Sequence, residues 1–560
     1  MNDILASYFA DKLNIGILMG HKYLYRHLIN RDSVILLTLA QYRFYKLVCP
    51  IDIDKSLLRS QITMFNLIDA RHKLSCIPNE AAHLKPWGNR KIHNSILEFV
   101  GNTPLVKLNK IPKEYGLECE IYAKCEYMNP GGSIKDRIAL AMVKDAEKGG
   151  NISKNTIFVE PTSGNTGIGV AFDAALMGNK SIIITGQKNS DEKVRTMQLL
   201  GAEVIQTNIS SVDIARKIHD EDPENVVILN QFENPMNPKI HYETTAEEIL
   251  HSLGQVDMFV LATGTGGTMS GVGHKLKERL ADCHIVVAEP DGSTMFNVNG
   301  KSHPFLVEGI GGSEIPIVLD KSVADSFEVV TDEESFLMAR KLCQKEGLLC
   351  GGSSGTAMAA AVRAAKKMKL DGKKRVVVIL PDGIRNYMTK FVSDQWMEAQ
   401  LFMDPPEHTM RWWKHPITKI TPNHKYPKVD TECTCREAIK EMGKENIAIV
   451  VNDEGHFVGA VSKDSFRNYA TNPTKLPGHD SEDFDFNAKV TDYLVKHCYT
   501  LAKNGKKGMP TVGLLSRVLD ITDFVVIGRN ITAENEQAHF IPESVATADD
   551  VLNYIMHHQK

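Results

Sequence analysis

From about residue 93 to residue 390, short runs of β-branched and other apolar residues alternate with longer helical stretches. Continuous apolar runs are typical of strands buried on both faces, and helical connections between such strands make a sheet mainly parallel. The sequence therefore predicts an α/β fold. The predicted strands are 121–123, 156–160, 181–185, 203–207, 226–229, 258–262, 284–288 and 375–380.

The composition and the pattern of predicted elements change after Asp404. Prolines and the pair Trp412-Trp413 mark residues 405–427 as a linker whose tryptophans dock on a neighbouring surface. Residues 428–560 predict two imperfect copies of one small α/β unit, the second copy being degenerate. The predicted elements are helix 434–442, strands 447–451 and 457–461, helix 463–469, strand 524–527 and helix 549–556.

Length and charge exclude several classes of protein. The 560 residues suggest about three or four folding units, and a net charge of −4 offers no basic field for nucleic acid or an anionic membrane. No stretch approaches the roughly 18 apolar residues of a membrane span. Ten scattered cysteines without a CxxC pair favour a reducing compartment, so we expect a cytoplasmic protein.

Residues 1–75 are predicted to be an N-terminal extension, and their sequence indicates no purpose. A transit peptide is an alternative because arginines are present and acidic residues are few. Asp3 and Asp11 argue against it.

Four glycine-rich turns stand where helices are predicted to begin. Residues 131–137 place Lys135 in the first turn of a helix, where the helix dipole disfavours a charged amine and favours a neutral, nucleophilic one. Such a lysine is suited to forming a Schiff base. An ordinary surface lysine explains the residue equally well.

The other three turns combine hydroxyls, amides and backbone N–H groups into anion cradles. Residues 161–167 suit a carboxylate, residues 263–268 suit the phosphate of a small cofactor, and residues 351–355 open the predicted helix 356–367. The second of these lacks the spacing of a dinucleotide fingerprint. Each turn alone is also explained by a plain helix N-cap. We expect all four at the carboxyl ends of strands in one parallel sheet, facing one crevice.

These motifs carry a family resemblance. From Ile96 to Asp404 the chain resembles animal-type cystathionine β-synthases, pyridoxal-phosphate enzymes of fold type II that are related to tryptophan synthase β and cysteine synthase. The resemblance passes through residues 101–106, the four turns, residues 346–350 and residues 380–387. It implies a pyridoxal-phosphate-dependent catalytic core over residues 76–404. Residues 428–560 resemble the paired regulatory domains named after this family, which simple cysteine synthases lack.

The resemblance also implies roles for individual residues. Lys135 holds the cofactor and moves protons at the substrate Cα and Cβ, Asn165 hydrogen-bonds the ring hydroxyl, and Ser353 meets the pyridine nitrogen. The residues implied to hold the cofactor phosphate are Gly264, Thr265, Gly266, Gly267 and Thr268. Those implied to bind the amino-acid carboxylate are Thr162, Ser163, Thr166 and Gln231. Ser163 is also expected to take part in catalysis.

The implied reaction is a β-replacement on serine. Serine loses its hydroxyl and the thiolate of homocysteine adds at Cβ, giving cystathionine for transsulfuration and cysteine biosynthesis. A neutral hydroxyl at Ser353 leaves the pyridine unprotonated, which favours elimination. One alternative is a cysteine synthase or serine dehydratase-like activity. Another is a degenerate cofactor-binding paralogue with a regulatory role, against which the retention of Lys135 argues.

The sequence departs from the family pattern at three places. Gly312 and Phe232 stand where the family usually has tyrosines, so the second substrate and the rate are open. Cys76 and His83 are the haem-ligand candidates that the resemblance implies. Their separation is shorter than the family's, and His274 replaces a supporting arginine, so an incidental pair is the alternative to haem binding.

In the tail, Thr547 and Asp550 stand where regulatory domains of this type hold the ribose of an adenosyl ligand such as S-adenosylmethionine. A carboxylate accepts both ribose hydroxyl protons, but threonine and aspartate at this position also form a plain helix N-cap. The resemblance finally implies small amino-acid substrates and a homo-oligomer.

Overall fold

The computed structural model describes residues 92–558, except for residues 151, 187–188, 208–209, 423–425, 472–484, 506 and 532–538. Within these ranges, every helix is too short or too polar to cross a membrane.

Residues 105–380 form two sheets. Their strands are β1 (Leu105–Lys107), β2 (Glu120–Cys125), β3 (Ile157–Pro161), β4 (Lys180–Gly186), β5 (Glu203–Thr207), β6 (Val226–Ile228), β7 (Met258–Ala262), β8 (His284–Pro290), β9 (Ser326–Val330) and β10 (Arg375–Leu380). One sheet has six strands in the order β1-β2-β10-β7-β8-β9, and the other has four in the order β5-β4-β3-β6. Strand β1 is antiparallel to β2, and the remaining pairs are parallel.

The prediction of an α/β fold with mainly parallel strands is confirmed. The expectation of a single sheet is wrong. Strand β2 is flanked by β1 and β10, so β3 has no free edge there and pairs instead with β4 and β6. Strands β1 and β9 were not predicted, because β1 is very short and Ser326 and Glu328 interrupt the apolar run of β9.

Helices cover both faces of the sheets. They are α1 (Ile111–Glu114), α2 (Lys135–Lys148), α3 (Asn165–Met177), α4 (Asp191–Leu199), α5 (Ser211–Glu221), α6 (Met236–Ile240), α7 (Ala246–Leu253), α8 (Gly267–Arg279), α9 (Asp332–Lys341), α10 (Gly352–Lys367) and α11 (Asp394–Ala399). Single π-helical turns follow α6 (His241–Thr245) and α9 (Leu342–Glu346).

Alternate residues of the six-stranded sheet enter two hydrophobic cores. Met258 and Val260 of β7 pack with α9 and α10, while Phe259 and Leu261 pack with α7 and α8 on the other face. Helices α2, α3 and α4 pack on the four-stranded sheet. Because apolar side chains cover both faces, the loops at the strand ends are left to carry polar groups.

The tail contains two three-stranded sheets of the same order. Their strands are β11 (Lys428–Asp430), β12 (Ile447–Val451), β13 (Phe457–Ser462), β14 (Tyr499–Ala502), β15 (Phe524–Ile531) and β16 (His539–Thr547). The helices are α12 (Cys435–Met442), α13 (Lys463–Thr471), α14 (Val512–Leu519) and α15 (Ala548–His558). In each sheet the first two strands are parallel and the third is antiparallel, as predicted for two copies of one unit.

The segment before β11 is bound to the second of these units. Trp412 and Trp413 are buried, and Trp413 packs against Gly513 of α14. The N–H of Val512 donates to the carbonyl of His415 over 2.8 Å. The side chain of Arg517 on α14 also pairs with Glu398 of α11. The tail therefore contacts the catalytic region through one continuous hydrophobic cluster.

Candidate active site

A cleft lies where α2, α3, α8 and α10 begin. Its lining includes Lys135, Ser163, Asn165, Thr166, Gly264, Thr265, Gly266, Thr268, Ser353 and Asp382. The four glycine-rich turns thus converge, although they come from both sheets. The turn 351–355 does not follow a strand as predicted. It follows a π-helical turn, and the N–H of Gly351 is held by the carbonyl of Asp382 over 2.8 Å. The same turn already belongs to α10, which begins at Gly352.

Lys135 is the first residue of α2 and is only partly accessible from the cleft. Its backbone N–H donates to Ser133 Oγ over 3.1 Å, which fixes the turn. Burial lowers the pKa of Lys135 to about 8, while the nearby Asp382 carboxylate acts in the opposite direction. A neutral amine is therefore accessible near neutral pH.

Asp382 was not assigned a role from the sequence, and the structure places it at the centre of the site. It is separated from the end of β10 by Pro381 alone and is buried. Its Oδ2 accepts hydrogen bonds from Asn165 Nδ2 over 2.8 Å and from the Tyr387 hydroxyl over 2.5 Å, while its Oδ1 has no partner among the described residues. Burial raises the pKa of Asp382. A polar residue at the carboxyl end of a buried strand was the signal that could have found it.

A buried ion network supports Asp382 from behind. Lys193 of α4 donates to Glu308 Oε2 over 2.7 Å and to the Tyr387 hydroxyl over 3.0 Å. Lys390 also pairs with Glu308. Lys193 is 115 residues from Glu308 and 194 from Tyr387, and Lys390 is 82 residues from Glu308, so no local pattern could have paired them.

The turn 263–268 leads into α8 and packs closely against the backbone at Gly309. A Cβ on Gly264 would lie 2.4 Å from the carbonyl oxygen of Gly309, so only glycine fits. The hydroxyl of Thr263 is buried without a partner among the described residues. The first N–H groups of a helix have no intrahelical acceptors, so this turn offers donors to an anion.

Two residues behind this turn were also missed. Asn237 Nδ2 donates to Thr265 Oγ1 over 3.0 Å and contacts Gly267. His241 Nε2 lies 3.2 Å from Thr268 Oγ1, and burial lowers the pKa of His241 well below its ordinary value. A neutral imidazole therefore stands behind the turn.

The four residues predicted to bind the amino-acid carboxylate fall into two groups. Ser163 and Thr166 line the cleft. Thr162 and Gln231 are buried behind its wall. The Thr166 hydroxyl donates a hydrogen bond to Gln231 Oε1 over 2.6 Å, and the Gly164 N–H donates one to the Thr162 hydroxyl over 3.1 Å. Thr162 and Gln231 therefore hold the turn 161–167 in shape.

The cleft has the chemical groups that pyridoxal phosphate requires. An amine stands at Lys135, and the helix start beside Thr263, whose hydroxyl has no partner within the described ranges, suits a phosphate. The buried side chain of Ser353 faces the same space. Asn165 is held in place by Asp382 and by Asn386, whose Nδ2 donates to it over 3.0 Å. The residues present fit this cofactor.

Two further predictions concern haem and an adenosyl ligand. Cys76 and His83 are outside the described residues, while His274 Nε2 lies 2.8 Å from Asp320 Oδ2. At the start of α15, Asp550 Oδ2 accepts both the N–H and the hydroxyl of Thr547 over 2.9 Å. This geometry is the helix N-cap that the sequence left as the alternative. The adenosyl ligand stays a prediction.

Two regions of the chain match models of known protein families. A model described as pyridoxal-phosphate dependent enzyme matches residues 96–382, and a CBS-domain model matches residues 417–472. The cystathionine beta-synthase of Apis mellifera is 42% identical over 455 residues, covering 78% of this chain and 87% of the relative. That of Rattus norvegicus is 40% identical over 509 residues, covering 84% and 87%.

Solved structures match the catalytic region. A hydrogen sulfide-producing enzyme from Fusobacterium nucleatum is 41% identical, with a TM-score of 0.50. The alignment covers 53% of this chain and 100% of the chain of that enzyme. An O-acetylserine dependent cystathionine beta-synthase from Helicobacter pylori is 38% identical, with a TM-score of 0.50, and covers 54% and 99%.

Proposed function

The chain belongs to the cystathionine β-synthase family of pyridoxal-phosphate-dependent enzymes, and on this premise we propose that it joins serine and homocysteine into cystathionine. The family makes it a lyase of the β-replacement type. The observation that carries the proposal is that Lys135, the turn before α8 and Ser353 line one cleft. Similarity to cystathionine β-synthases through both core and tail favours these substrates over those of a simple cysteine synthase.

When bound, pyridoxal phosphate supplies the electron sink that lets serine lose its β-hydroxyl and accept a thiolate. We assign Lys135 to hold the cofactor and to move protons at the substrate Cα and Cβ. Its lowered pKa supports this role, because a group that takes and returns protons works best near the operating pH. Asn165, prepositioned by Asp382, hydrogen-bonds the ring hydroxyl.

The remaining side chains bind and orient. When the cofactor is bound, the turn from Gly264 to Thr268 would hold its phosphate through backbone N–H groups, and the Ser353 hydroxyl would meet its ring nitrogen. Ser163 and Thr166 contact the amino-acid carboxylate, with Ser163 also assisting the chemistry. Support comes from their shared position in the cleft lining. We keep Thr162 and Gln231 in the same carboxylate-binding set, and their hydrogen bonds to Gly164 and Thr166 also orient this turn.

The test supplies the cofactor-loaded enzyme with serine and either homocysteine or sulfide. Cystathionine as the main product supports the proposal. Cysteine from sulfide with no cystathionine would identify a cysteine synthase, and pyruvate from serine alone would identify a dehydratase. A cofactor absorbance band without turnover would indicate a regulatory paralogue. The same visible spectrum decides whether haem is bound, because haem absorbs in a distinguishable band.

An adenosyl ligand such as S-adenosylmethionine is our second assignment, resting on the CBS-domain match at residues 417–472. Asp550 stands three residues after the last residue of β16, and Ser465 occupies the same place after β13 in the other unit. Only the former offers a carboxylate to ribose hydroxyls. Calorimetry on the full chain should show binding that Asp550→Ala abolishes and Ser465→Ala preserves. Binding unchanged by Asp550→Ala would leave that residue as a helix cap only.

Our domain assignment keeps 1–75 as an extension, 76–404 as the core, 405–427 as a linker and 428–560 as regulatory. A homo-oligomer in the cytoplasm completes the proposal. Sedimentation of the purified protein and microscopy of a tagged chain test these two points.

A further inference from the structure

A buried imidazole lies behind the turn that opens α8. His241 belongs to the π-helical turn after α6 and has no exposed surface. Its Nε2 lies 3.2 Å from the hydroxyl oxygen of Thr268, which lines the cleft. Its Nδ1 lies 2.9 Å from the hydroxyl oxygen of Thr245, which is also buried. The reaction proposed above gives this imidazole no role.

Glycines in α8 allow the helix to approach His241 closely. A Cβ on Gly271 would lie 2.1 Å from the carbonyl oxygen of Pro238 and 2.9 Å from His241 Cβ. Gly267 lies one helical turn earlier, on the same face, and a Cβ there would lie 1.9 Å from a side-chain oxygen of α6. Because α8 packs directly against this segment, Thr268 and His241 keep a fixed relative position.

The imidazole of His241 is neutral. Burial lowers the pKa of His241 well below its ordinary value, and the charges on Arg137 and Lys135 act in the same direction. A neutral imidazole has one N–H donor and one acceptor nitrogen. Its two ring nitrogens therefore have opposite parts, since one donates to a threonine hydroxyl and the other accepts from one.

A phosphate at the turn 264–268 decides which ring nitrogen donates. Among the described residues that line the cleft, Lys135 is the only lysine or arginine, and it is assigned to hold the cofactor. The phosphate is thus left to neutral donors, of which the Thr268 hydroxyl is one. When that hydroxyl donates to an anion, its oxygen is free to accept, and the Nε2 of His241 is within reach as the donor. Nδ1 then accepts from Thr245.

We propose that His241 is a positioning residue for the cofactor phosphate and acts through Thr268. The hydrogen bonds run from the Thr245 hydroxyl to Nδ1, from Nε2 to the Thr268 hydroxyl, and from that hydroxyl to the phosphate. Each bond in such a chain polarises the next, and a bond to a charged group is stronger than one between neutral groups. The inference rests on the proposed function, because it takes residues 264–268 as the phosphate site.

Binding of two related compounds isolates the part of the phosphate. Pyridoxal phosphate and pyridoxal offer the same aldehyde to Lys135, but only the former carries the anion. Absorbance titration of the full chain, freed of cofactor, gives the Kd of each compound. His241→Phe should weaken pyridoxal-phosphate binding about tenfold and leave pyridoxal binding unchanged. His241→Gln keeps an amide N–H and should restore most of the affinity.

Three comparisons make this test specific. In a Thr268→Val background, His241→Phe should cause no additional loss of pyridoxal-phosphate affinity, because the chain of hydrogen bonds is already broken. His284→Phe is the matched control, since His284 Nε2 lies 2.9 Å from the Ser326 hydroxyl and neither residue lines the cleft. That variant should bind both compounds as the wild type does.

Unchanged pyridoxal-phosphate binding in His241→Phe, or equal losses for the two compounds, would overturn the proposal. An additional loss in the Thr268→Val background would also overturn it. Failure of the proposed phosphate site is distinguishable, because Thr268→Val alone would then leave the ratio of the two Kd values unchanged, and the inference would fall with that site.

Discussion

Replacing Lys193 by methionine should destabilise the catalytic region strongly. The Lys193 side chain is 1% exposed and its partner Glu308 is 4% exposed, with 2.7 Å between Nζ and Oε2. Removing one partner of a buried ion pair costs about 3–5 kcal/mol, since the remaining charge stays desolvated. Glu308 keeps Lys390 and the N–H of Ser190, so we expect a value near the lower end of that range.

Calorimetry of the full chain measures this effect. The entropy of unfolding is about 2.1 cal/mol/K per residue, so for a catalytic region of about 300 residues each kcal/mol shifts Tm by about 1.5–2 °C, and the Lys193→Met transition should fall by about 5 °C. Lys277→Met is the matched control. Lys277 lies 2.6 Å from Asp325, but the two side chains are 31% and 32% exposed. Pairs of that exposure contribute about 0–1 kcal/mol. Equal shifts in the two variants would refute the argument from burial.

The effect of Lys193→Met should also depend on pH. Burial raises the pKa of Glu308, but Lys193 and Lys390 outweigh burial and leave that pKa below its ordinary value of 4.5. A carboxyl group whose folded-state pKa is depressed stabilises the fold above its unfolded pKa and loses that contribution as the pH falls through the folded value. The Tm difference between wild type and variant should therefore shrink below pH 4.5. A constant difference would contradict this account.

Three further predictions concern the cleft. Lys135→Ala should abolish turnover with an unchanged circular dichroism spectrum, and borohydride should attach cofactor to the Lys135 peptide of the native protein; label on another lysine would refute the assignment. Ser353→Asp should lower turnover more than Ser353→Ala, because a carboxylate would stabilise the protonated form of the pyridine nitrogen whereas alanine removes one hydrogen bond; equal activities would mean that Ser353 does not face that nitrogen. In cofactor-free protein, the rate of pyridoxal-phosphate attachment should rise with a midpoint near pH 8, because burial lowers the pKa of Lys135 to about 8. A midpoint near its ordinary value of 10.5 would contradict the desolvation of this amine.

Features governed by neighbouring residues were predictable from the sequence. Strands β5, β7 and β10 have the predicted bounds, because strands covered on both faces are continuous apolar runs. Helix α12 begins at its predicted cap, where Thr434 and Glu437 form a reciprocal capping box. The glycine-rich turns and Lys135 could likewise be predicted from the sequence, since each lies within a few residues of the helix that it opens.

Features that depend on distant partners were decided only by the tertiary structure. The sequence does not reveal which strands pair with β3, so one sheet was expected where two are present. Asn165 and Asp382 are 217 residues apart, and the charge on Asp382 becomes important only because burial removes it from water. Caps and periodicity arise from local free energies, whereas sheet order and buried charge arise from packing between segments that meet only in the folded chain.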